Sequence, residues 1–209
     1  MQPLPDLLPD DPLPVAKAWM DEAQRQIRNA GAFALATVDS RGRPTARMVI
    51  CRGFDVDAGW LVFYTDRDSD KGVALAAHPW AACVFHWASL ERQIRIEGPV
   101  TLAADADSDR YWATRERDAQ IAAVASEQSR PLRSRAELLR AIADVARAAG
   151  SGPVSRPAQW GGYRVWAERV ELWVGQPARA HDRARWTREL TPAGDGFKGG
   201  AWSATRLQP

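Results

Sequence analysis

Residues 32–66 read AFALATVDSRGRPTARMVICRGFDVDAGWLVFYTD, and this stretch is the clearest indication of the fold. It contains three runs in which β-branched and aromatic residues are frequent, as is typical of strands: 32–38, 44–54 and 60–66. Short segments with Asp and Gly separate the runs, and such residues form turns readily. The spacing predicts consecutive antiparallel hairpins, which together form a β-meander.

Helices and further hairpins extend this pattern in both directions. Upstream, Asp11 and Pro12 supply an N-cap and a first-turn proline for a helix that runs to a stop at Gly31. Downstream, Ser69 opens a short helix that ends at Pro79. The remaining segments predict a hairpin, two helices, two more strands and a final turn: 80–103, 105–125, 134–149, 160–186 and 191–200. Six or more antiparallel strands with inserted helices predict an α+β fold, a small barrel with peripheral helices.

The chain length suits one domain preceded by a short arm. Residues 1–11 are rich in proline, which lacks an amide donor, and we expect a flexible arm there. Residues 12–209 are long enough to bury a core and are expected to form a single domain. Within this domain, Ser134 followed by Glu137 is a capping-box pattern, which predicts the start of a helix.

Composition argues against several classes of protein. The net charge is only +2, and no basic patch alternates with aromatic residues, so nucleic acid is not an expected partner. No apolar run is long enough to span a bilayer, so no membrane association is expected, and the acidic, proline-rich N-terminus is unlike a secretory signal. We therefore expect a cytoplasmic protein. The three histidines lack metal-binding spacing, so no metal site is expected. Cys51 and Cys83 lie in apolar runs and are interpreted as reduced core thiols, with a disulfide as the alternative.

A cluster of cations occurs late in the chain, where residues 179–183 read RAHDR. The flanking residues alternate between apolar and polar, which predicts a strand. On a strand, Arg179, His181 and Arg183 would lie in one row, because side chains two residues apart share a face. Two fixed cations and an imidazole repel one another unless an anion lies among them. The row therefore indicates an anionic ligand.

Other motifs each admit a functional and a structural interpretation. Ser69 and Lys71 could bind an anion together with the free amides of the helix start, or be a solvated cap. Gln93 could recognise the edge of a heterocycle, or be a polar residue on an exposed strand face. Tyr111 and Arg115 are four residues apart on a predicted helix face, where they could hold a phosphate or simply stack. Taken singly, the Ser69/Lys71 and Tyr111/Arg115 motifs favour the structural interpretation, and Gln93 does not decide between the functional and the structural one.

Taken together, the motifs resemble one family. Seven segments occur in the order and at the spacing of the pyridoxamine (pyridoxine) 5′-phosphate oxidases: RMVICR (47–52), VFYTDRDSDKG (62–72), HWASLERQIRIEG (86–98), YWATRERDAQIAAVASEQS (111–129), QWGGYRV (159–165), ELW (171–173) and RAHDR (179–183). The resemblance covers nearly the whole chain. Its late block, WGG followed by ELW and RAHDR, is more specific than any single motif.

The resemblance implies a fold, a cofactor and a reaction. The fold would be an FMN-binding split β-barrel, a homodimer with FMN at the subunit interface. The reaction would convert pyridoxamine or pyridoxine 5′-phosphate, a phosphorylated B6 vitamer, to pyridoxal 5′-phosphate, with O2 as acceptor and hydrogen peroxide as the second product.

The resemblance also assigns residues to each ligand. Those that would bind FMN are Arg47, Tyr64, Thr65, Ser69, Lys71, Gln93, Gln128, Ser129, Trp173 and Arg183. Those that would bind the substrate phosphate are Arg52, Tyr111 and Arg115. Arg179 and His181 would bind the substrate ring and are the expected catalytic residues.

Three positions depart from the family pattern. Asp70 replaces an arginine beside the FMN phosphate, so we expect its carboxylate to turn to solvent and FMN affinity to be reduced. Ala119 replaces a serine that helps to bind the substrate phosphate, and Arg52 replaces a lysine. Two of the three changes concern the substrate site.

Two alternatives accompany the main interpretation. One is a flavin oxidoreductase of the same fold with another substrate, such as a phenazine-pathway oxidase. Tyr111 and Arg115 argue against it. Together with the pair Arg179 and His181, they suit a phosphorylated pyridine. The other is a non-catalytic flavin-binding protein, and the retained Arg179 and His181 argue against that, because storage needs no groups beyond the flavin.

Overall fold

The computed structural model describes residues 3–209. The helices in this range are α1 (Leu13–Gln26), α2 (Asp70–Ala77), α3 (Asp105–Ala113), α4 (Arg117–Ala125) and α5 (Arg135–Ala149). The strands are β1 (Ala32–Val38), β2 (Pro44–Ile50), β3 (Gly53–Asp55), β4 (Trp60–Asp66), β5 (Trp80–Trp87), β6 (Arg92–Leu102), β7 (Trp160–Trp166), β8 (Arg169–Val174), β9 (Asp182–Thr187), β10 (Leu190–Ala193), β11 (Gly196–Gly199) and β12 (Ser203–Leu207).

Ten strands form one antiparallel sheet that folds over along β6. On one path the order is β12-β9-β8-β6-β5-β1-β2, and a second path leads from β6 through β7 to β4 and β3. The partner of β6 changes from β8 to β7 around Gly98. A Cβ atom on Gly98 would lie 1.9 Å from the carbonyl oxygen of Trp166, so only glycine permits this approach. The result is the α+β split barrel that the sequence predicts.

The barrel interior is filled by side chains at alternate positions of the strands. Phe33 and Leu35 of β1 are fully buried, and their neighbours in the strand are partly exposed. The Phe33 ring packs against Phe63 and Phe85 at centroid distances of 6.1 and 4.9 Å. Full burial of one such side chain stabilises the fold by about 1.5–3 kcal/mol. The alternation of apolar side chains, with a period of two residues, therefore determines which face of each strand turns inward.

Three predicted elements are shorter than expected. The first helix ends at Gln26, before Gly31, and Asn29 takes a positive φ of 59° in the turn that follows. The predicted strand 44–54 divides into β2 and β3, because Cys51 and Arg52 leave the β2 ladder. The predicted helix 105–125 divides into α3 and α4, since Glu116 is extended, with ψ of 137°.

The N-terminal segment is held against the barrel. The main-chain N–H of Leu4 donates to Asp182 Oδ2 at 2.7 Å, and Leu4 is buried. The indole N–H of Trp186 donates to the carbonyl oxygen of Pro9 at 2.8 Å. The expected arm is therefore anchored to the barrel at Leu4 and Pro9, whereas Leu7 between them is 89% exposed. Residues 1 and 2 lie outside the described residues.

Two local features, the cap of α5 and the state of the cysteines, agree with the sequence. Ser134 Oγ accepts from the main-chain N–H of Glu137 at 3.1 Å, so the capping pattern does start α5. Cys51 and Cys83 are free and buried, and burial raises the pKa of the Cys51 thiol to about 11. Among residues 3–209, no helix has both the length and the apolar composition needed to cross a membrane.

Candidate active site

The start of α2 forms a buried cation site. Ser69 is the N-cap, and Lys71 lies in the first turn of the helix. Lys71 is only 8% exposed. Its Nζ donates to three oxygens, those of Ser69 Oγ (2.9 Å), Thr65 Oγ1 (3.1 Å) and Gln128 Oε1 (2.6 Å). Because none of these oxygens is charged, they orient the ammonium without neutralising it.

Arg47 adds a second positive charge beside Lys71. Its guanidinium donates to three oxygens, those of Leu35 O (3.1 Å), Thr37 Oγ1 (2.8 Å) and Thr45 Oγ1 (2.7 Å). Arg47, Lys71, Asp70 and Ser129 line one cavity of about 540 Å³, which we call the Lys71 cleft. Burial, and then the charge of Arg47, lower the pKa of Lys71 to about 8. An anion bound in the cleft would stabilise both cations, so the cleft suits a phosphate.

A second cavity of about 470 Å³, which we call the Arg52 cleft, contains part of the predicted substrate site. Arg52 and Tyr111 line it, and the Arg52 guanidinium lies 5.6 Å from the centre of the Tyr111 ring. Tyr64, which the resemblance assigns to FMN, lines this cleft and stacks on Tyr111 at 4.2 Å. Tyr64 faces away from its neighbour Thr65 because successive residues of a strand point to opposite faces.

Arg115 does not share a helix face with Tyr111, contrary to the sequence prediction. Helix α3 ends at Ala113, and Arg115 follows in the turn before α4. Its guanidinium lies 5.0 Å from the centre of the Trp160 ring and donates to the carbonyl oxygen of Ala119 at 3.0 Å. Its Nε is buried without a partner among residues 3–209. Trp160 lies next to both Arg115 and Tyr111, and its ring centre is 6.1 Å from that of Tyr111.

Three predicted FMN residues form a row across the outer face of the sheet. Gln93 on β6 is paired with Trp173 on β8, which is paired with Arg183 on β9. Ile94, the next residue after Gln93, is fully buried, so Gln93 faces away from the core. Arg183 is ion-paired with the buried Glu171, from Nε at 3.0 Å and from Nη2 at 2.9 Å. This outer row is partly exposed and includes a large aromatic ring.

Arg179 and His181 do not lie on the strand that the sequence predicts. Strand β9 begins at Asp182, and the preceding residues form a turn that starts at Pro177. Ala178 and Arg179 have positive φ values of 55° and 60°, a strained conformation for residues other than glycine. The expected row of Arg179, His181 and Arg183 is therefore wrong: only Arg183 is on the strand.

The turn nevertheless orients His181. Its Nδ1 accepts from the main-chain N–H of Gln176 at 3.2 Å, which leaves Nε2 as the protonated nitrogen of the neutral ring. The imidazole lies 4.8 Å from the Trp173 ring, so it adjoins the outer row. Sequence reasoning missed the role of Gln176, because a main-chain donor has no residue signature. It also missed Trp160, although this tryptophan opens the WGG motif.

Apart from the Arg52 cleft, the structure divides the predicted site into two parts. Within one chain, the Lys71 cleft brings together Arg47, Thr65, Ser69, Lys71, Gln128 and Ser129. The outer row and His181 lie on β6, β8 and β9 and in the turn before β9. The residues that line the Lys71 cleft include no member of that row. A ligand that contacts both parts must extend beyond the cleft.

Comparison with known proteins identifies two matching family models and close relatives. Residues 20–147 match the model described as pyridoxamine 5′-phosphate oxidase, and residues 160–209 match the pyridoxine 5′-phosphate oxidase C-terminal dimerisation region. The pyridoxine/pyridoxamine 5′-phosphate oxidase of Gluconobacter oxydans is 44% identical over 208 residues, covering 99% of this chain and 98% of the relative. That of Rhodopseudomonas palustris is 47% identical over 201 residues, covering 96% and 91%.

Solved structures show the same architecture. PhzG from Burkholderia lata, in complex with tetrahydrophenazine-1-carboxylic acid, has a TM-score of 0.84 and 30% identity, with 98% of each chain covered. A pyridoxamine 5′-phosphate oxidase-related, FMN-binding protein from Nostoc punctiforme has a TM-score of 0.73 and 21% identity, covering 95% of this chain and 98% of that one. The second likeness shows the fold alone. With a family model over more than half of its length and relatives matched nearly end to end, the chain belongs to the pyridoxamine (pyridoxine) 5′-phosphate oxidase family.

Proposed function

We propose that the chain is an FMN-dependent oxidase that converts pyridoxamine or pyridoxine 5′-phosphate to pyridoxal 5′-phosphate, with O2 as acceptor and hydrogen peroxide as product. The observation that carries the proposal is the pair of separate cationic clefts, at Lys71 and at Arg52, in a member of this family. Cofactor and substrate are both phosphate esters, and each needs its own cationic site. We place the enzyme in the cytoplasm, where its two free cysteines stay reduced.

The Lys71 cleft fits the phosphate of FMN. A phosphate monoester carries close to two negative charges at neutral pH. Arg47 and Lys71 offer two positive charges on side chains that the surrounding hydroxyls already hold in place. Gln128 and Ser129 are adjacent on the loop at the cleft and are suited to the polar ribityl chain. The outer row, with its tryptophan and its amide, is suited to the flavin ring.

The Arg52 cleft suits the phosphate of the substrate. Arg52 can contact two phosphate oxygens at once, and the Tyr111 hydroxyl can donate to a third. Arg115 would have to turn from the Ala119 carbonyl to join them, and its unpartnered Nε gives it a donor for a ligand. These three residues therefore hold the substrate by its phosphate, away from the reacting carbon.

The chain contributes positioning and fixed charge, and the cofactor contributes redox chemistry. When bound, FMN would supply the two-electron chemistry that the chain lacks, so that the substrate could be oxidised at its C4′ carbon and O2 reduced to hydrogen peroxide. Arg179 presents a permanent positive charge that stabilises negative charge developing at the rings. His181 offers an N–H at Nε2 to a polar substituent of the substrate. Both act from a turn whose backbone is constrained before the ligand arrives.

The protein is a homodimer, as the match to the dimerisation region indicates. We propose that each FMN lies at the dimer interface, held by the Lys71 cleft of one protomer and the outer row of its partner. The separation of these two sets within one chain supports this arrangement. Exposed apolar residues on the edge strand β2 support it as well: Met48 is 64% exposed and Ile50 is 38% exposed.

One experiment tests the reaction and the cofactor together. The purified protein should bind FMN more tightly than FAD or riboflavin, because the Lys71 cleft recognises a terminal phosphate. The FMN-loaded protein should then release hydrogen peroxide on addition of either phosphorylated vitamer. Tighter binding of FAD or riboflavin would contradict the cofactor assignment. FMN binding without peroxide release from either vitamer would point to another substrate, such as a phenazine precursor.

FMN affinity should fall at alkaline pH. Lys71 has a pKa of about 8 before the ligand binds, and a bound phosphate raises that pKa by favouring the ammonium. Below about pH 8 the ammonium is already present and the affinity should be flat. Above it, binding must first take up a proton, so the dissociation constant should rise by up to about tenfold per pH unit. Flavin fluorescence titrations between about pH 7 and pH 9.5 measure this.

Lys71→Arg provides the control for the pH effect, because a guanidinium stays protonated over the whole range. Its affinity for FMN should be independent of pH in the same titrations. A flat profile for the unmodified protein would contradict the role given to Lys71.

Ala119→Ser should improve substrate capture. A serine hydroxyl at the start of α4 could donate to the substrate phosphate, and a hydrogen bond to a charged group contributes roughly 1.5–3 kcal/mol. We expect KM for pyridoxine 5′-phosphate to fall about tenfold with kcat nearly unchanged, as for uniform binding. Unphosphorylated pyridoxine is the control and should show no gain. An equal gain for both compounds would mean that this helix does not hold the phosphate.

A further inference from the structure

The Lys71 cleft contains a cation that the family resemblance does not assign. Arg130 lines this cleft together with Arg47 and Lys71, on the loop that carries Ser129. Its Nη2 donates to the main-chain oxygen of Asp68 at 2.7 Å. Asp68 directly precedes the N-cap of α2, so this bond holds the loop of Arg130 against the start of the helix.

The Arg130 guanidinium keeps most of its donors free. It has five N–H groups, and the bond to Asp68 is the only hydrogen bond it makes among residues 3–209. The side chain is exposed, so a ligand in the cleft can reach it from the solvent side. An arginine anchored at one nitrogen, with the rest of its planar fork free, is suited to contact two oxygens of a phosphate.

The charges around the cleft show why a third cation matters. Arg47 and Lys71 contribute two positive charges, and Asp70, in the first turn of α2, contributes a negative one. Burial lowers the pKa of Arg47 and of Lys71, and the negative charge of Asp70 raises both. Asp70 is therefore close enough to act on both cations. A phosphate with close to two negative charges therefore meets only one net positive charge from these three residues.

The other carboxylate of the cleft is already compensated. Asp39 lines the same cavity, but its Oδ1 accepts from the main-chain N–H groups of Arg41 and Arg43, both at 2.9 Å. Its Oδ2 lies 3.6 Å from Nε of Arg43. The charge of Arg43 balances that of Asp39, so of the two carboxylates that line the cleft Asp70 is the one that opposes a phosphate. Asp66 also acts on Lys71 but does not line the cleft.

We propose that Arg130 binds the phosphate of FMN and offsets the repulsion that Asp70 exerts on it. The inference rests on the proposed function, because it takes FMN as the ligand. Arg130 and Asp70 then set the affinity for FMN in opposite directions. Both act through the phosphate, so neither affects recognition of the flavin ring.

Parallel titrations with FMN and with riboflavin, which lacks the phosphate, test this assignment. Arg130→Gln should weaken FMN binding about tenfold and leave riboflavin binding unchanged. Asp70→Asn should tighten FMN binding about threefold, again without an effect on riboflavin. Arg130→Lys, which keeps the charge, should retain most of the affinity. Arg133→Gln, an exposed arginine of the same loop outside the cleft lining, is the matched control and should change neither.

Each contrary result has a distinct meaning. An equal loss of FMN and riboflavin in Arg130→Gln would show that Arg130 only holds the loop, and unchanged FMN binding would show that it does not contact the phosphate. Either result overturns the inference and leaves the proposed function intact. Failure of the unmodified protein to bind FMN would instead refute the proposed function.

Discussion

Replacing Lys71 by methionine should weaken FMN binding by about a hundredfold. The ammonium is the point at which β4, α2 and the Gln128 loop meet, and it is the most buried cation of the cleft. Methionine fills a similar volume but offers neither charge nor donor to the phosphate. Flavin fluorescence titration at neutral pH measures the loss, and the purified variant should be colourless.

The same change should not unfold the protein. Burial disfavours the Lys71 ammonium, as its lowered pKa shows, so removing it removes an energetic cost of folding. The oxygens it leaves keep partners, because Thr65 Oγ1 donates to Gln128 Oε1 at 2.9 Å and Ser69 Oγ donates to the Asp66 carbonyl at 2.6 Å. The apoprotein should melt at the same temperature as the unmodified apoprotein, or higher.

Lys198→Met is the matched control, since Lys198 is exposed on β11 and distant in sequence from the cleft. It should bind FMN normally. If Lys71→Met bound FMN within about twofold of the unmodified protein, the phosphate would have to lie elsewhere.

Local sequence patterns predicted the positions of the strands better than they predicted which strands pair with each other. The runs 32–38 and 60–66 became β1 and β4 with unchanged bounds, because alternation and turn residues act within a few positions. The pairing of β1 with β5 and of β4 with β7 joins residues far apart in sequence, and no local pattern encodes it. The number of strands with inserted helices predicted a small barrel, and only the resemblance to a family predicted that it is a split barrel.

The candidate site shows the same division between local and long-range information. The N-cap at Ser69 correctly places Lys71 at the start of a helix, because capping is local. The predicted strand through Arg179 fails since Pro177 starts a turn and two residues then adopt positive φ, which alternation of polarity does not reveal. Gln128 belongs to an irregular loop, so only the resemblance indicated that it would meet Lys71.

Arg179→Ala should lower kcat/KM for pyridoxine 5′-phosphate by about a hundredfold and leave FMN affinity unchanged. Arg179 is exposed, and its guanidinium makes no hydrogen bond or ion pair among residues 3–209, so its removal breaks no such interaction there. Arg183→Ala should do the reverse, weakening FMN binding about tenfold with little change in turnover per bound flavin. Steady-state kinetics on FMN-saturated protein, combined with flavin titration, separates the two effects.

Arg183 differs from Arg179 in being part of a structural ion pair, and the design must account for that. Glu171 is buried, and without Arg183 its nearest cation is Arg95, at 3.5 Å. Leaving this carboxylate poorly paired should cost about 2 kcal/mol of stability. The double variant Arg183→Ala/Glu171→Gln removes the charge as well and should recover much of that stability without recovering FMN affinity. If the double variant recovered both stability and FMN affinity, Arg183 would act only through the fold. If Arg179→Ala lost FMN while turnover per bound flavin stayed normal, the two arginines would have to exchange roles.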